Sequence, residues 1–359
     1  MKKLISILLA VVLTLALCAC GGSGTSTTPA ASSGSADAKA EAPEAKADPV
    51  VLKVSIGLPE DTPFSIAFLE MADKISERTN GQYQLKAYFN GTLCSKPELF
   101  EMMANGAVDV GETILESMVD SDIRFGAVSL PFAFNSTEAS QVFSKLANER
   151  LYDQILREKW NIMPLATFCT GFQQFGGTDC SVATLDDWKG KLVWCSNTIG
   201  ADTVTALGAS PVILEFWDGY PALQKGTVDC ACAFSAEGVS NFKWYDVVKN
   251  ISICNMFSSA SNVYIRADLF DSFPEDVQQI FREEFAAMEQ GQQELGNAME
   301  DRERAELEPL GVTYNEVAES ELDAWREAVK PVYDDFWAQM DPADAEIIQQ
   351  CIEEANATA

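Results

Sequence analysis

No histidine occurs anywhere in the chain, which removes the commonest general base together with Ser–His and Cys–His nucleophile pairs. Fifty-four Asp and Glu against twenty-five Lys and Arg guarantee carboxylate pairs at every spacing, so none of those pairs marks a hydrolytic site. Zinc and thioredoxin-like chemistry have little to stand on, because the chain has neither a Cys-x-x-Cys pair nor an imidazole. No catalytic residue, metal site or cofactor is therefore expected, and the chemistry left is recognition. Eight cysteines lie beyond Cys18 and Cys20: Cys94, Cys169, Cys180, Cys195, Cys230, Cys232, Cys254 and Cys351. An even number in an exported chain permits disulfides. Cys169, Cys230, Cys232 and Cys254 nevertheless sit in apolar, strand-like runs that suit small buried hydrophobes, so mostly free thiols are expected.

The stretch GKLVWCSN, Gly190 to Asn197, reads as a buried strand arriving at a turn, where α/β proteins present side chains to ligands. It places an indole, Trp194, at that point. Such a ring offers ~150–250 Å² of apolar surface and one N–H donor. Two readings stand: a face for a flat solute, or a core aromatic.

The elements that must position these residues begin after an N-terminal leader. Lys2 and Lys3 precede an apolar run from Leu4 to Leu17, the charge order of a secretory signal, and the run is shorter than the ~20 residues needed to span a bilayer. It ends Leu17-Cys18-Ala19-Cys20, which resembles a bacterial lipobox, a likeness that implies cleavage after residue 19 and acylation of Cys20. Residues 20–50 are Gly, Ser, Thr, Ala, Pro and charges, the composition of a disordered tether. A formal net charge of −29 makes nucleic acid and anionic lipid surfaces poor partners.

From Val51 strands and helices alternate. VLKVSIGL reads as a strand, Phe64, Phe68, Met71 and Ile75 recur at helical spacing, and Asn80-Gly81 is a stop. YQLKAYF is a strand, Ser95-Lys96-Pro97-Glu98 has capping-box spacing, and AVDVGETIL is a strand again. A second unit repeats this order. Thr184 to Asp187 forms a capping box, 191–195 a strand, Ile199 to about Leu207 a helix, SPVIL a strand, Asp218 to Lys225 a helix and TVDCACAF a strand. Such alternation predicts parallel α/β units, and two of them commonly hold a ligand between them. From Pro274 to about Leu310 one long helix is expected, with Gly291 and Gly296 as points where it could bend.

GQYQLKAYFNGTLCSKPELFEMMANGAVDVG, SLPFAF, LDDWKGKLV, ALGASPVILEFWDGYPALQKGTVD and LFDSFPEDVQQIFREEF, taken in this order, resemble the DctP-like extracytoplasmic solute-binding proteins of TRAP transporters. The resemblance covers roughly residues 52 to 340. It implies an α/β, two-lobed periplasmic-binding-protein-like fold with a long bridging helix. One lobe would hold 51–170 and about 262–300, the other 171–261 and about 301–359, with the helix at about 274–310 crossing both. It also implies capture of a small-molecule solute, usually an organic acid, and delivery to membrane subunits driven by an ion gradient. With the lipobox it places the chain outside the cytoplasm, anchored to the membrane at Cys20.

In that family an Arg on the strand after the DLKG-like turn grips the solute carboxylate, because the planar guanidinium matches two carboxylate oxygens. The matching residue here is Trp194. A second family Arg, in a Gly-x-Arg context, is matched by Gln173 in Gly171-Phe172-Gln173. Beyond Asp229, where many members carry a solute-reaching Asn, this chain reads Cys230-Ala231-Cys232-Ala233-Phe234. The aromatic that packs on the solute is kept as Phe216. The expectation is an aromatic, neutral or cationic solute on Trp194, with Gln173, Phe172, Phe216 and Phe234 around it and Glu112 pairing an amine. The alternatives are an organic acid held by another basic residue, and the binding protein of an ATP-driven importer.

Overall fold

The computed structural model describes residues 48–358, with side-chain surroundings for all of these except 169–170, 236–237, 293 and 295–302. The expected leader, Cys20 and the tether up to residue 47 lie outside the described residues. Nine strands form one sheet: β1 (Val50–Ser55), β2 (Tyr83–Tyr88), β3 (Val110–Ile114), β4 (Ile162–Gly177), β5 (Leu192–Cys195), β6 (Ser210–Ile213), β7 (Cys230–Phe234), β8 (Asn250–Arg266) and β9 (Thr313–Glu316). Their order is β2-β1-β3-β8-β4-β7-β5-β6, with β9 on β8. In the first half β1 runs parallel to β2 and β3; in the second, β5 runs parallel to β6 and β7. These are the two expected α/β units.

The units share their middle strands. Ile162 to Cys169 of β4 pairs with Ala260 to Arg266 of β8 in the first half, and Phe172 to Gly177 pairs with Asn250 to Ser258 in the second. The described chain consequently folds as one compact body. Register slips between Cys169 and Phe172 and again between Gln173 and Phe175. Such bulges bend a strand and leave ladder groups unpaired. Gly171 (φ 88°) and Asn255 (φ 49°) take left-handed backbone at this crossing. Gln174 collects the freed groups: its Oε1 accepts the N–H of Cys254 at 2.9 Å and of Asn255 at 3.1 Å, while Nε2 donates to Asn255 Oδ1 at 2.7 Å.

The long helix, Glu275–Leu307, runs unbroken for 33 residues, about 50 Å at ~1.5 Å per residue. Phe281, Phe285 and Met288 enter the first half's core beside Phe68 and Val54. The helix packs on the helix Pro63–Arg78 and on β4, and also on the helix Ala236–Asn241 of the second half. Its apolar stripe explains the first contact, and its length explains how it reaches the last.

The C-terminal segment touches both halves: the helix Pro342–Thr358 packs against the helix Thr137–Ala147. It buries Ile348, Cys351 and Ala355 and is fastened by Arg124–Asp344 and Arg150–Glu354 pairs, each 2.7 Å. Just before it, Trp325 meets Trp188 of the second half at 5.3 Å. The segment therefore straddles both halves. Cys230 is not a free thiol but is bonded to Cys180, with Cα atoms 5.7 Å apart. Gly177 makes this possible, because a Cβ there would stand 3.1 Å from Cys180 Cβ and 2.4 Å from the Asp229 carbonyl, so the loop after β4 folds tightly over β7. Cys94, Cys195, Cys232, Cys254 and Cys351 are free.

Candidate functional site

A pocket opens where β5 and β7 end beside the β4–β8 crossing, lined by Ser129, Gln173, Ser196, Asn197, Gly200, Cys232, Ala233 and Phe257. Ser196 and Asn197 follow β5, and Asn197 caps the helix Thr198–Ala206, its Oδ1 accepting the Gly200 N–H at 2.8 Å. Gln173 and Phe257 are partners across β4 and β8. Ala233 adopts φ 63°, a left-handed turn that releases β7 from regular extension. All eight lining residues are uncharged, so the pocket offers amides, hydroxyls, a thiol and one phenyl ring.

Of the residues singled out from sequence, the structure brings only Gln173 into this pocket. Trp194 points the other way. Successive strand residues face opposite sides of a sheet, and Cys195 joins the core that holds Cys232 while Trp194 joins a different one. It is 2% exposed, donates its indole N–H to the Leu214 carbonyl at 3.0 Å and packs on Trp244 at 5.4 Å. The indole face expected for a solute is thus covered by protein, because Gly219 lets the helix Phe216–Lys225 close over it. Phe216 stacks on Trp244 at 5.0 Å, and Phe234 is 5% exposed in the same cluster. Phe172 is half-buried opposite Ser258.

Glu112 lies in the first half with its carboxylate already engaged. Oε1 accepts from Ser261 Oγ at 2.6 Å and stands 3.8 Å from Lys96 Nζ, and Oε2 accepts from the Gly57 N–H at 3.4 Å. Just past the end of β3, Glu116 accepts a short hydrogen bond from Ser259 Oγ, and its Oε2 has no partner among the described residues. Burial pushes the Glu116 carboxyl up to about 7. Lys96, with 30% of its side chain exposed, is the cation of this wall. Sequence reading passed over Ser129, Phe257 and Lys96, which carry no local signal. Asn197 was legible as a polar residue immediately before a helix.

Two parallel α/β units joined by shared antiparallel strands, with a polar pocket at the strand ends, define a two-lobed binding protein. Solved structures share this fold. One is a TRAP periplasmic solute-binding protein from Chromohalobacter salexigens with bound D-glucuronate (TM-score 0.77, 22% identity, 85% of this chain and 99% of that chain). Another is from Haemophilus influenzae with bound L-gulonate (TM-score 0.77, 23% identity, 85% and 99%). Residues 54–340 match the family described as bacterial extracellular solute-binding protein, family 7, and the chain belongs to that family. Its relatives include the C4-dicarboxylate-binding periplasmic protein DctP of Rhodobacter capsulatus, 27% identical over 298 residues covering 81% of this chain and 88% of the relative. The C4-dicarboxylate-binding protein DctB of Bacillus subtilis is 23% identical, covering 81% and 83%. The role that membership of this family shows is extracytoplasmic solute binding, and the family is described by binding rather than by catalysis.

Proposed function

We propose that this receptor captures a neutral or cationic, ring-bearing solute between its two halves and delivers it to TRAP membrane subunits. The observation that carries the reading is the uncharged pocket, with Gln173 where the resembling family carries a carboxylate-binding Arg. A hydrogen bond involving a charged group is worth ~1.5–3 kcal/mol net, and an enclosed carboxylate without a cation bears a desolvation penalty. Gln173, Asn197 and the two serines donate and accept without net charge, and Phe257 replaces Trp194 as the flat surface. The pocket encloses about 10 Å³, room for about one water, so loading requires the halves to part at the β4–β8 crossing.

A thermal-shift screen of the protein from residue 48 onward against nucleobases, aromatic amines, hexuronates and dicarboxylates tests this. A rise in Tm with neutral or amine compounds supports it, and a response confined to acids overturns it. A second reading has one observation behind it: Lys96, partly exposed and 3.8 Å from Glu112, could hold an organic acid. Loss of an acid response in Lys96→Ala would identify that reading. The lipobox supports an acyl anchor at Cys20, and incorporation of a labelled fatty acid that disappears in Cys20→Ser tests it. Family membership favours TRAP subunits over an ATP-driven importer.

A further inference from the structure

Cys195 and Cys232 lie on neighbouring parallel strands. The register of β5 and β7, Val193 opposite Cys230 and Trp194 opposite Ala231, places Cys195 opposite Cys232 one step on. Neighbouring strands are ~4.8 Å apart, inside the ~4.4–6.8 Å Cα window of disulfides. Both side chains belong to one core. Gly200 sees them together, since a Cβ there would stand 3.7 Å from Cys232 Sγ and 3.8 Å from Cys195 Cβ. Of the two, Cys232 lines the pocket. Two residues back on the same strand, Cys230 is already bonded to Cys180.

We propose that Cys195 and Cys232 form a redox-sensitive dithiol at the floor of the solute pocket, oxidised to a second disulfide by a small disulfide or diazene oxidant entering through that pocket. With a disulfide oxidant, the Cys232 thiolate attacks one sulfur and expels the first thiolate. Cys195 then attacks the mixed disulfide at Cys232 and expels the second. Two protein thiols and one external disulfide become one protein disulfide and two external thiols, so atoms and electrons balance. Burial raises the Cys232 thiol well above its usual range, which makes the first step slow and dependent on the pocket being open. The product would tie the end of β5, and with it Ser196 and Asn197, to β7.

The test treats native protein with diamide at pH 8, then denatures it, alkylates it and maps the thiols by mass spectrometry. The expected result is two fewer alkylated cysteines per chain and a linked pair of peptides carrying Cys195 and Cys232, with Cys254 still alkylated and Cys180–Cys230 retained. In Cys232→Ser, Cys195 remains alkylated after the same treatment. An unchanged thiol count in the wild type, or a new link joining Cys232 to Cys180, Cys230 or Cys254, overturns the proposal. The readout is independent of which solute binds.

Discussion

The indole N–H of Trp194 donates to the Leu214 carbonyl at 3.0 Å, and the far edge of the same ring stands 2.5 Å from where a Cβ on Gly219 would lie. One end of the indole is tethered and the other is roofed, so this residue organises the second half. Trp194→Ala should cost about 3–5 kcal/mol by cavity formation. Gly219→Ala should cost about 1–3 kcal/mol by overpacking. Urea denaturation followed by far-UV circular dichroism measures both. Trp194→Arg buries an unpaired cation, and should lower stability more than Trp194→Ala does without restoring acid binding.

Gln173 is the position to alter for specificity. Gln173→Arg places a guanidinium in the otherwise uncharged pocket, and should raise affinity for hexuronates or dicarboxylates about 10- to 100-fold, the equivalent of one or two charged hydrogen bonds. Titration calorimetry of the wild type and the variant against the same acids reads this. Equal affinities would show that the pocket is not where acids are held.

Glu116 makes stability fall as pH rises. Its carboxyl titrates at about 7 when folded against an ordinary 4.5, so the folded chain binds the proton more tightly than the unfolded one. This contribution is fully present below about 4.5 and is lost as pH climbs through about 7, amounting to about 3 kcal/mol. Glu116→Gln has no proton to lose. The variant should match the wild type near pH 4 and exceed it at pH 8, measured by urea titration at each pH.

Gln174 supplies three hydrogen bonds across the bulge. Gln174→Leu leaves the N–H groups of Cys254 and Asn255 to find water or go unpaired, which should cost about 2–4 kcal/mol. Hydrogen exchange should speed at those two amides ahead of the rest of β8.

Cys180 and Cys230 close a loop across a sequence separation of 50, for which the chain-entropy relation gives about 4 kcal/mol. The double variant Cys180→Ser, Cys230→Ser should lose close to that amount, seen as a lower urea midpoint at an unchanged or larger slope.

Periodicity and punctuation carried the fold well. Phe64, Phe68, Met71 and Ile75 are all buried on the helix Pro63–Arg78, Asn80 and Gly81 take the positive φ of a stop, and Thr184 with Asp187 forms a true capping box. Those signals are local. The site was less legible because its members meet only through tertiary pairing: Gln173 finds Phe257 across a bulged ladder, and Ser129 reaches them from the end of the 3-10 helix Ile123–Ser129. Trp194 shows the same limit from the other side, since strand identity fixes that it faces one side or the other, whereas Gly219 on a separate helix decides what covers it. The Cys180–Cys230 bond escaped sequence reading because Gly177, which admits the close turn, looks like any other glycine in a strand.

The strands common to both halves have a consequence for biosynthesis. Val110 to Ile114 finds its antiparallel neighbour only in Ser261 to Ile265, so a nascent chain that stops short of residue 260 presents β3 and β4 as two unpaired edges. Such edges are templates for aggregation, and contacts so distant in sequence form late. The amino-terminal half should therefore stay pliable until most of the polypeptide has emerged, a property that suits threading through a translocation channel, and truncated fragments ending before β8 should be found in the insoluble fraction.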